Sequence, residues 1–326
     1  MRATRSLFFT LVALLVTSPL RAQTTPDTVA ACPTTLSVKA GKVCAAALDG
    51  VTMLHPLAAL LVSGGNPVLG TATAAAGGRF GHFYFSLRAN SVQAIIPDLS
   101  YNGTADTVPL RRRVRLYAPR ADLSAGLLQK KLPMGTVAAD FILSALLIPA
   151  DASESFTPVA GSRTLAGYTV QLDWGVRLAM AGPKLPLVSL TAMKRGTPTV
   201  TVGNVTEGDL AAYIFDASAI NVRLMMGKRF RWIEFAGGGG ADLLGGKAVV
   251  FYRDPANGAL QSAIEKKLSG MRLTAAANLA LLIGRVRIGA EGGYQAGKSD
   301  SLTTIFAQNN TSAGKFYGGL GVGVNF

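Results

Sequence analysis

The chain has 326 residues, a formal net charge of +14 and a mean hydropathy of +0.33. Only 15% of its residues are charged, against about 25% in typical soluble domains, and after the N-terminus no stretch offers the roughly 20 consecutive apolar residues of a membrane helix. This composition disfavours an ordinary soluble domain and a helical membrane protein, and in lipid the remaining structure that satisfies the backbone is a closed β-barrel.

The first 22 residues predict a secretory signal peptide. Arg2 and Arg5 precede an apolar run at residues 7–20, and Ala22 provides a small residue at the cleavage point. Cleavage near Ala22 leaves about 304 residues with a net charge of +11, because the signal holds three arginines and no acid. Export argues against nucleic acid as the partner of this basic chain.

The chain has two cysteines, Cys32 and Cys44, which lie close together after the signal. An oxidising compartment allows them to form a disulfide that closes a small loop. A lipoprotein signal ending at Cys32 is a weaker alternative, because polar residues separate this cysteine from the apolar run.

Residues 23–78 form an Ala/Gly-rich N-terminal segment without strand alternation. Leu48, Val51 and Leu54 predict a short helix that stops before Pro56, and a second short helix is predicted to end at residues 64–65. Ahead of a barrel, such a segment is predicted to form a periplasmic lead-in or to enter the barrel as a plug. Its glycines lack the phosphate-loop and dinucleotide-binding patterns.

From residue 79 onward, segments of strand length alternate apolar and polar residues. In the clearest, Trp174 and Val176 share one face while Asp173 and Arg177 share the other. The alternation recurs at 80–90, 218–225 and 273–295, and less cleanly at 121–128, 135–148, 186–193, 231–238 and 247–252. The fold class is therefore predicted as all-β, an antiparallel transmembrane β-barrel of about 10–12 strands, with 12 preferred. A soluble sandwich would show the same alternation, but aromatic residues near strand ends favour the barrel.

The polar face of each strand is predicted to line the barrel interior. Seven mid-strand residues are the lumen-lining candidates: Arg88, Asp173, Arg177, Asn221, Arg223, Arg287 and Glu291. Because arginines outnumber acids in this set, the sequence predicts an interior that attracts anions. Residues 257–270 are predicted to form a short amphipathic helix between strands.

No motif in the sequence identifies an enzyme. Two histidines, His55 and His82, are too few to build a metal site, since the cysteines lie elsewhere. His82 and Ser86 share a strand face, but no third group accompanies them to orient the histidine. We therefore predict no enzymatic activity, no cofactor and no metal.

The last strand carries the pattern that is most specific to one class of protein. Leu320, Val322, Val324 and the final Phe326 alternate on one face, and this ending resembles the assembly signal of Gram-negative bacterial outer-membrane β-barrels. The resemblance implies location in the cell outer membrane and recognition by the outer-membrane barrel-assembly machinery. It also implies outer-membrane lipid and lipopolysaccharide as partners.

Two further stretches gain meaning from that resemblance. The arginine-rich residues 110–120 are interpreted as a contact for lipopolysaccharide phosphates, as an anion-attracting mouth or as a solvated loop. Asn66-Pro67 is faintly similar to a motif in the N-terminal hatch of the long-chain fatty-acid transporter family, although Val68 replaces the expected alanine.

The sequence thus predicts a signal peptide at 1–22, a periplasmic or plug segment at 23–78 and a transmembrane β-barrel at 79–326. The favoured function is passive passage or binding of a small solute, anionic or hydrophobic, whose identity the sequence does not give. Two alternatives are a non-conducting structural or surface-binding barrel and a lipid-modifying barrel enzyme.

Overall fold

The computed structural model describes residues 32–34, 36–76, 80–149, 157–159, 164–165, 167–182 and 185–326. The predicted signal peptide lies outside the described residues. The described part contains one helix, α1 (Val38–Ser63), and these strands: β1 (Phe83–Pro97), β2 (Thr107–Val108), β3 (Leu110–Leu132), β4 (Gly135–Pro149), β5 (Thr157–Pro158), β6 (Thr164–Leu165), β7 (Tyr168–Gly182), β8 (Leu185–Gly196), β9 (Val200–Val202), β10 (Ala211–Phe215), β11 (Ser218–Phe230), β12 (Ile233–Tyr252), β13 (Ile264–Ile283), β14 (Val286–Gln295), β15 (Ile305–Phe306) and β16 (Lys315–Asn325).

Ten long strands form a closed antiparallel barrel. In ring order they are β1, β3, β4, β7, β8, β11, β12, β13, β14 and β16, and β16 pairs with β1 to close the ring. Closure pairs every backbone edge, as a strand in lipid requires. The all-β barrel prediction is confirmed, at ten strands rather than the preferred twelve. One reason is that residues 231–238 and 247–252, predicted as two strands, belong mainly to the single 20-residue strand β12.

The two ends of the barrel differ in the length of their connections. At one end, two residues separate β3 from β4, β7 from β8, β11 from β12 and β13 from β14. Arg231 and Gly284 adopt left-handed φ angles of 48° and 59° in two of these turns, as tight hairpins require. We call this the short-turn end, and β16 finishes there beside the start of β1.

The other end carries long connections that hold the minor strands. There β12 extends beyond the ring and pairs with β10, which pairs with β9, which in turn pairs with β5. Strands β2 and β15, from two different connections, form a parallel pair. We call the end with the long connections the outer mouth.

The outward face of the barrel is apolar between two rows of aromatic residues. The row at the short-turn end comprises Phe83, Phe230, Trp232, Phe235 and Phe326. The row toward the outer mouth comprises Tyr117, Tyr168, Tyr294 and Phe316. Most outward positions between them hold leucine, valine or isoleucine, such as Leu178 and Val222, and a few hold other apolar residues, such as Trp174 and Met226. A hydrocarbon-facing band with aromatic girdles at both interfaces accounts for this pattern.

Helix α1 lies inside the ring at its outer mouth, since it contacts β1, β3, β8, β11, β12 and β13. It is one helix that continues through Pro56, where the sequence predicted two short helices separated at that proline. The oxygen Oγ of Ser37 caps it by accepting a hydrogen bond from the Ala40 N–H at 3.2 Å. The helix is apolar and long enough to cross a membrane, but 78% of its most apolar window is buried in the molecule.

Two other local predictions are corrected. Residues 257–270 form no helix, and β13 begins within them at Ile264. Residues 110–120, for which a loop was one prediction, form the first half of the 23-residue strand β3. In both cases, pairing with neighbouring strands overrides a pattern that is ambiguous by itself.

Candidate functional site

The lumen is filled by the segment that follows α1. Residues 64–76, which we call the plug, run toward β1 without helix or strand, and all but Thr73 are fully buried. A buried backbone without regular structure cannot satisfy its own N–H and C=O groups, so it needs partners from its surroundings. The barrel wall therefore has to supply donors and acceptors along the whole path of the plug.

Wall arginines donate to carbonyl oxygens of the plug. Arg88 Nη1 donates to the Asn66 carbonyl at 2.8 Å, and Arg177 Nη1 donates to the Thr73 carbonyl at 3.0 Å. Arg177 also binds the side-chain oxygen of Asn66. Where α1 joins the plug, Arg195 Nη1 donates to the Val62 carbonyl at 3.0 Å. These charge-assisted bonds hold the segment on several sides.

Wall carboxylates accept from N–H groups of the plug. Glu291 Oε2 accepts from the Asn66 N–H at 3.0 Å, and Glu234 Oε1 accepts from the Ala72 N–H at 3.3 Å. Asp140 Oδ2 accepts from the Ala75 N–H at 2.5 Å, close to where the plug reaches the short-turn end. Donors and acceptors of the wall thus alternate along one thirteen-residue segment, residues 64–76.

The charges of the interior balance. Among the described residues, seven arginines are buried: Arg88, Arg120, Arg177, Arg195, Arg223, Arg272 and Arg287. Seven carboxylates are buried with them: Asp49, Asp122, Asp140, Asp173, Glu234, Asp242 and Glu291. The excess of positive charge predicted for the lumen is therefore not seen, and the basis for an anion-attracting interior is removed.

All seven lumen candidates from the sequence lie on the inner wall and are buried: Arg88, Asp173, Arg177, Asn221, Arg223, Arg287 and Glu291. The structure pairs three of them with residues outside that set. Arg88 lies 2.8 Å from Asp122, Arg223 lies 2.5 Å from Asp242, and Asp173 lies 3.2 Å from Arg120. The partners that the sequence analysis did not identify, Asp122, Asp242 and Arg120, occupy inward-facing positions of their strands. The alternation of inward and outward residues is the signal that could have identified them.

Inward glycines of the last strand make room for the interior. Added methyl groups at Gly321 and Gly323 would lie 2.8 Å from Leu69 and 2.2 Å from the Tyr84 hydroxyl. On the adjacent strand, a methyl at Gly289 would lie 2.9 Å from Leu69. The alternation of apolar residues with glycine in β16 thus has two causes, lipid outside and a packed plug inside.

The N-terminal residues are fixed to the connections of the outer mouth. Lys42 forms an ion pair with Asp106 at 3.2 Å, and Asp49 accepts from the N–H groups of Thr303 and Thr304 at 2.7 Å. Cys32 and Cys44 form a disulfide beside the start of α1. These contacts place residues 32–49 at the end opposite to the start of β1.

His55 in α1 packs against the wall with its Nε2 atom 3.0 Å from the Gly245 carbonyl. Burial lowers the pKa of this imidazole below its usual value, while the hydrogen bond to Gly245 and the charge of Asp216 oppose that shift. Because a carbonyl oxygen can only accept, Nε2 donates to it. The role of this histidine is to dock α1.

The structure separates the two residues of the considered lipid-modifying site. His82 and Ser86 are four positions apart in extended chain, a separation of roughly 13 Å. His82 is exposed and Ser86 is buried on the inner wall, and no hydrogen bond joins them in the described chain. Within the described residues there is also no cluster of histidine, cysteine, aspartate and glutamate that could hold a metal ion.

Alternate arginines of β3 form an exposed row beyond the aromatic Tyr117. Arg111, Arg113 and Arg115 share the outward face of the strand. Arg111 pairs with Asp209 at 2.9 Å, and Arg113 bonds to Gln308. Contact with lipopolysaccharide phosphates stays a prediction, as does recognition of Leu320, Val322, Val324 and Phe326 by the assembly machinery.

No family model matches the sequence, and no curated protein matches it. Solved structures with a similar fold include the outer membrane protease OmpT of Escherichia coli, at 10% identity and a TM-score of 0.37, covering 75% of this chain and 96% of that one. Ail, the attachment invasion locus protein of Yersinia pestis, matches at 13% identity and a TM-score of 0.29, covering 76% and 100%. The translocator domain of autotransporter NalP from Neisseria meningitidis matches at 12% identity and a TM-score of 0.38, covering 76% and 89%.

This chain has the fold of an outer-membrane β-barrel. At 10–13% identity, the similarity shows the fold alone. The comparisons do not show the similarity to the fatty-acid transporter hatch that Asn66-Pro67 suggested.

Replacing Asp242 by alanine should destabilise this outer-membrane barrel strongly. Asp242 accepts from Arg223, Thr274 and Gln295 at 2.5, 2.7 and 3.0 Å, and its loss leaves the Arg223 guanidinium buried without a carboxylate. Removing one partner of a buried pair costs about 3–5 kcal/mol. Urea titration of the refolded protein in detergent measures the change. The matched variant Asp106→Ala breaks an exposed pair and should cost at most about 1 kcal/mol.

Proposed function

We propose that this outer-membrane barrel is closed to solutes as folded and holds its own N-terminal segment at the cell surface. The observation that carries the proposal is the plug, which fills the lumen and takes hydrogen bonds from wall residues along its length. A solute has to share the lumen with this segment or displace it. Among the functions considered from the sequence, the non-conducting structural or surface-binding barrel fits this geometry best.

The direction of the chain supports surface display. Residues 32–49 contact the long connections, and the plug leads from there to β1, which starts at the short-turn end. With extracellular long connections, the chain runs from the cell surface inward through the lumen. The residues that precede α1 then lie outside the cell, where an oxidised Cys32–Cys44 pair is stable.

The cavities support closure. Two cavities at the outer mouth, between α1 and the connections, measure about 30 and 10 Å³. Sites for small molecules measure roughly 300–1,000 Å³, so these spaces do not admit a solute. A larger cavity of about 520 Å³ lies at the short-turn end, on the other side of the plug.

Passage of a small solute, the function favoured by the sequence, requires the plug to leave the lumen. Planar-bilayer recordings of the refolded full chain test this directly. We expect a silent bilayer, because breaking the wall bonds of the plug would expose buried charges. Regular ohmic current steps from the full chain, with a reversal potential in a salt gradient, would overturn the proposal. Heat-dependent migration on a gel verifies that the recorded protein is a folded barrel.

A further inference from the structure

We call the cavity of about 520 Å³ at the short-turn end the vestibule. Small and apolar side chains form much of its wall, among them Ala138, Ala179, Leu187 and Phe326. Arg287 and Arg229 also line it, together with the polar residues Thr73, His82, Gln129, Thr136 and Asn325. The vestibule thus has a largely apolar wall with two arginines, and in the proposed orientation it lies on the periplasmic side of the plug.

The Arg287 guanidinium retains unused donors. The residue is 4% exposed, and its Nε and Nη1 atoms have no hydrogen-bond partner. The nearest carboxylate, that of Glu234, lies 4.0 Å from Arg287 Nη2. The guanidinium lies over the ring of Tyr84, with 5.4 Å from Cζ to the ring centroid, which fixes its position without satisfying its N–H groups.

Glu234 cannot fully neutralise Arg287, because its carboxylate already accepts hydrogen bonds from other side chains. Its Oε2 atom accepts from Arg229 Nη2 at 2.8 Å, and its Oε1 atom accepts from Thr71 Oγ1 at 2.5 Å. Two guanidinium groups therefore share one carboxylate beside the cavity. Adding the buried Arg177 and Asp140 beside them leaves three guanidinium groups against two carboxylates, a surplus of one positive charge. Buried donors without a partner, such as those of Arg287, are costly.

We propose that the vestibule binds a small amphiphilic carboxylate that enters from the periplasmic side. Its carboxylate accepts from the Arg287 guanidinium at Nη2, which is less deeply buried than Nε and Nη1, and its short apolar body lies against the alanine wall near Ala138 and Ala179. A single surplus charge matches a monoanion better than a dianionic phosphate, and the apolar wall favours a ligand that carries hydrocarbon. The side of entry rests on the orientation in the proposed function, whereas the binding itself does not depend on that orientation or on whether the barrel conducts.

Equilibrium dialysis of radiolabelled hexanoate against the full chain in lipid nanodiscs tests the proposal. In Arg287→Gln, hexanoate binding should weaken at least about tenfold, the effect of losing a hydrogen bond to a charged group. The matched control Lys130→Gln removes the same charge from an exposed residue near the same end, and it should leave binding unchanged. Equal binding by wild type and Arg287→Gln would overturn the assignment.

A second variant keeps the test decisive if Arg287→Gln does not fold. Ala138→Leu fills the apolar part of the vestibule from another strand, so it should weaken hexanoate binding severalfold and leave the guanidinium in place. Inorganic phosphate and uncharged hexanol serve as comparison probes on the wild-type chain, and both should bind more weakly than hexanoate. Hexanol binding as tight as hexanoate overturns the role of Arg287. Phosphate binding as tight as hexanoate overturns the amphiphilic class.

Discussion

A barrel that lacks residues 24–76 is expected to conduct ions where the full chain is silent. This deletion removes α1 and the plug but keeps the predicted signal and all barrel strands. Eight strands enclose an interior that side chains can just fill, so a ten-stranded ring emptied of its plug should leave a water-filled path. Planar-bilayer recordings of the refolded deletion protein should show discrete current steps.

Two observations make this experiment decisive. Heat-dependent gel migration must show that the deletion protein still forms the barrel. In the full chain, Asp140→Asn with Glu291→Gln keeps the plug but removes two charges that accept from its N–H groups. Hydrogen bonds to charged groups contribute about 1.5–3 kcal/mol each, so this variant should open briefly and often. A folded deletion barrel that stays silent would show that wall side chains alone close the lumen.

The strands of the barrel were predictable because lipid imposes a period of two on their outward faces. Leu172, Trp174, Val176 and Leu178 of β7 are all exposed, as their parity predicts. The same rule places Phe83 and Leu87 outward and Arg88 inward in β1. The closed ring follows from this alternation, since every such strand needs two neighbours.

The balance of charge inside the barrel was not predictable to the same degree. Glu234 and Asp242 flank a run of glycines in β12 that carries little alternation. Asp140 follows two alanines, so no large apolar residue stands directly before it to mark the outward face and identify Asp140 as inward-facing. Most interior acids therefore lie in strands where apolar and polar residues alternate weakly. The arginines identified from the sequence lie in strands where that alternation is clear.

The path of the plug depends on tertiary contacts alone. Its residues have no period of 2 or 3.6, and their conformation is set by wall groups that are far away in the sequence, such as Arg177 and Glu291. Pro56 likewise ends a helix by local rules, yet α1 continues through it because packing inside the barrel holds the helix together. Local propensity cannot anticipate either result.

An epitope tag inserted after Thr28 is expected to be accessible on intact cells. The tag precedes Cys32, and residues 32–49 are held at the outer mouth by the disulfide and the Lys42–Asp106 and Asp49–Thr303 contacts. Antibody labelling of whole cells should therefore be positive before any permeabilisation. External protease should remove the tag while the barrel persists, because paired strands in lipid resist cleavage.

The matched control is the same tag inserted between Pro133 and Met134, in the two-residue turn at the short-turn end. It should be labelled only after the outer membrane is permeabilised, because the proposed orientation places that turn in the periplasm. Labelling of the turn tag on intact cells, with the N-terminal tag hidden, would reverse the orientation and place the vestibule at the cell surface. Labelling of both tags would mean that the N-terminal segment does not pass through the lumen. A chain that runs inward through its own barrel requires that the N-terminal tag is labelled on intact cells and that the turn tag is not.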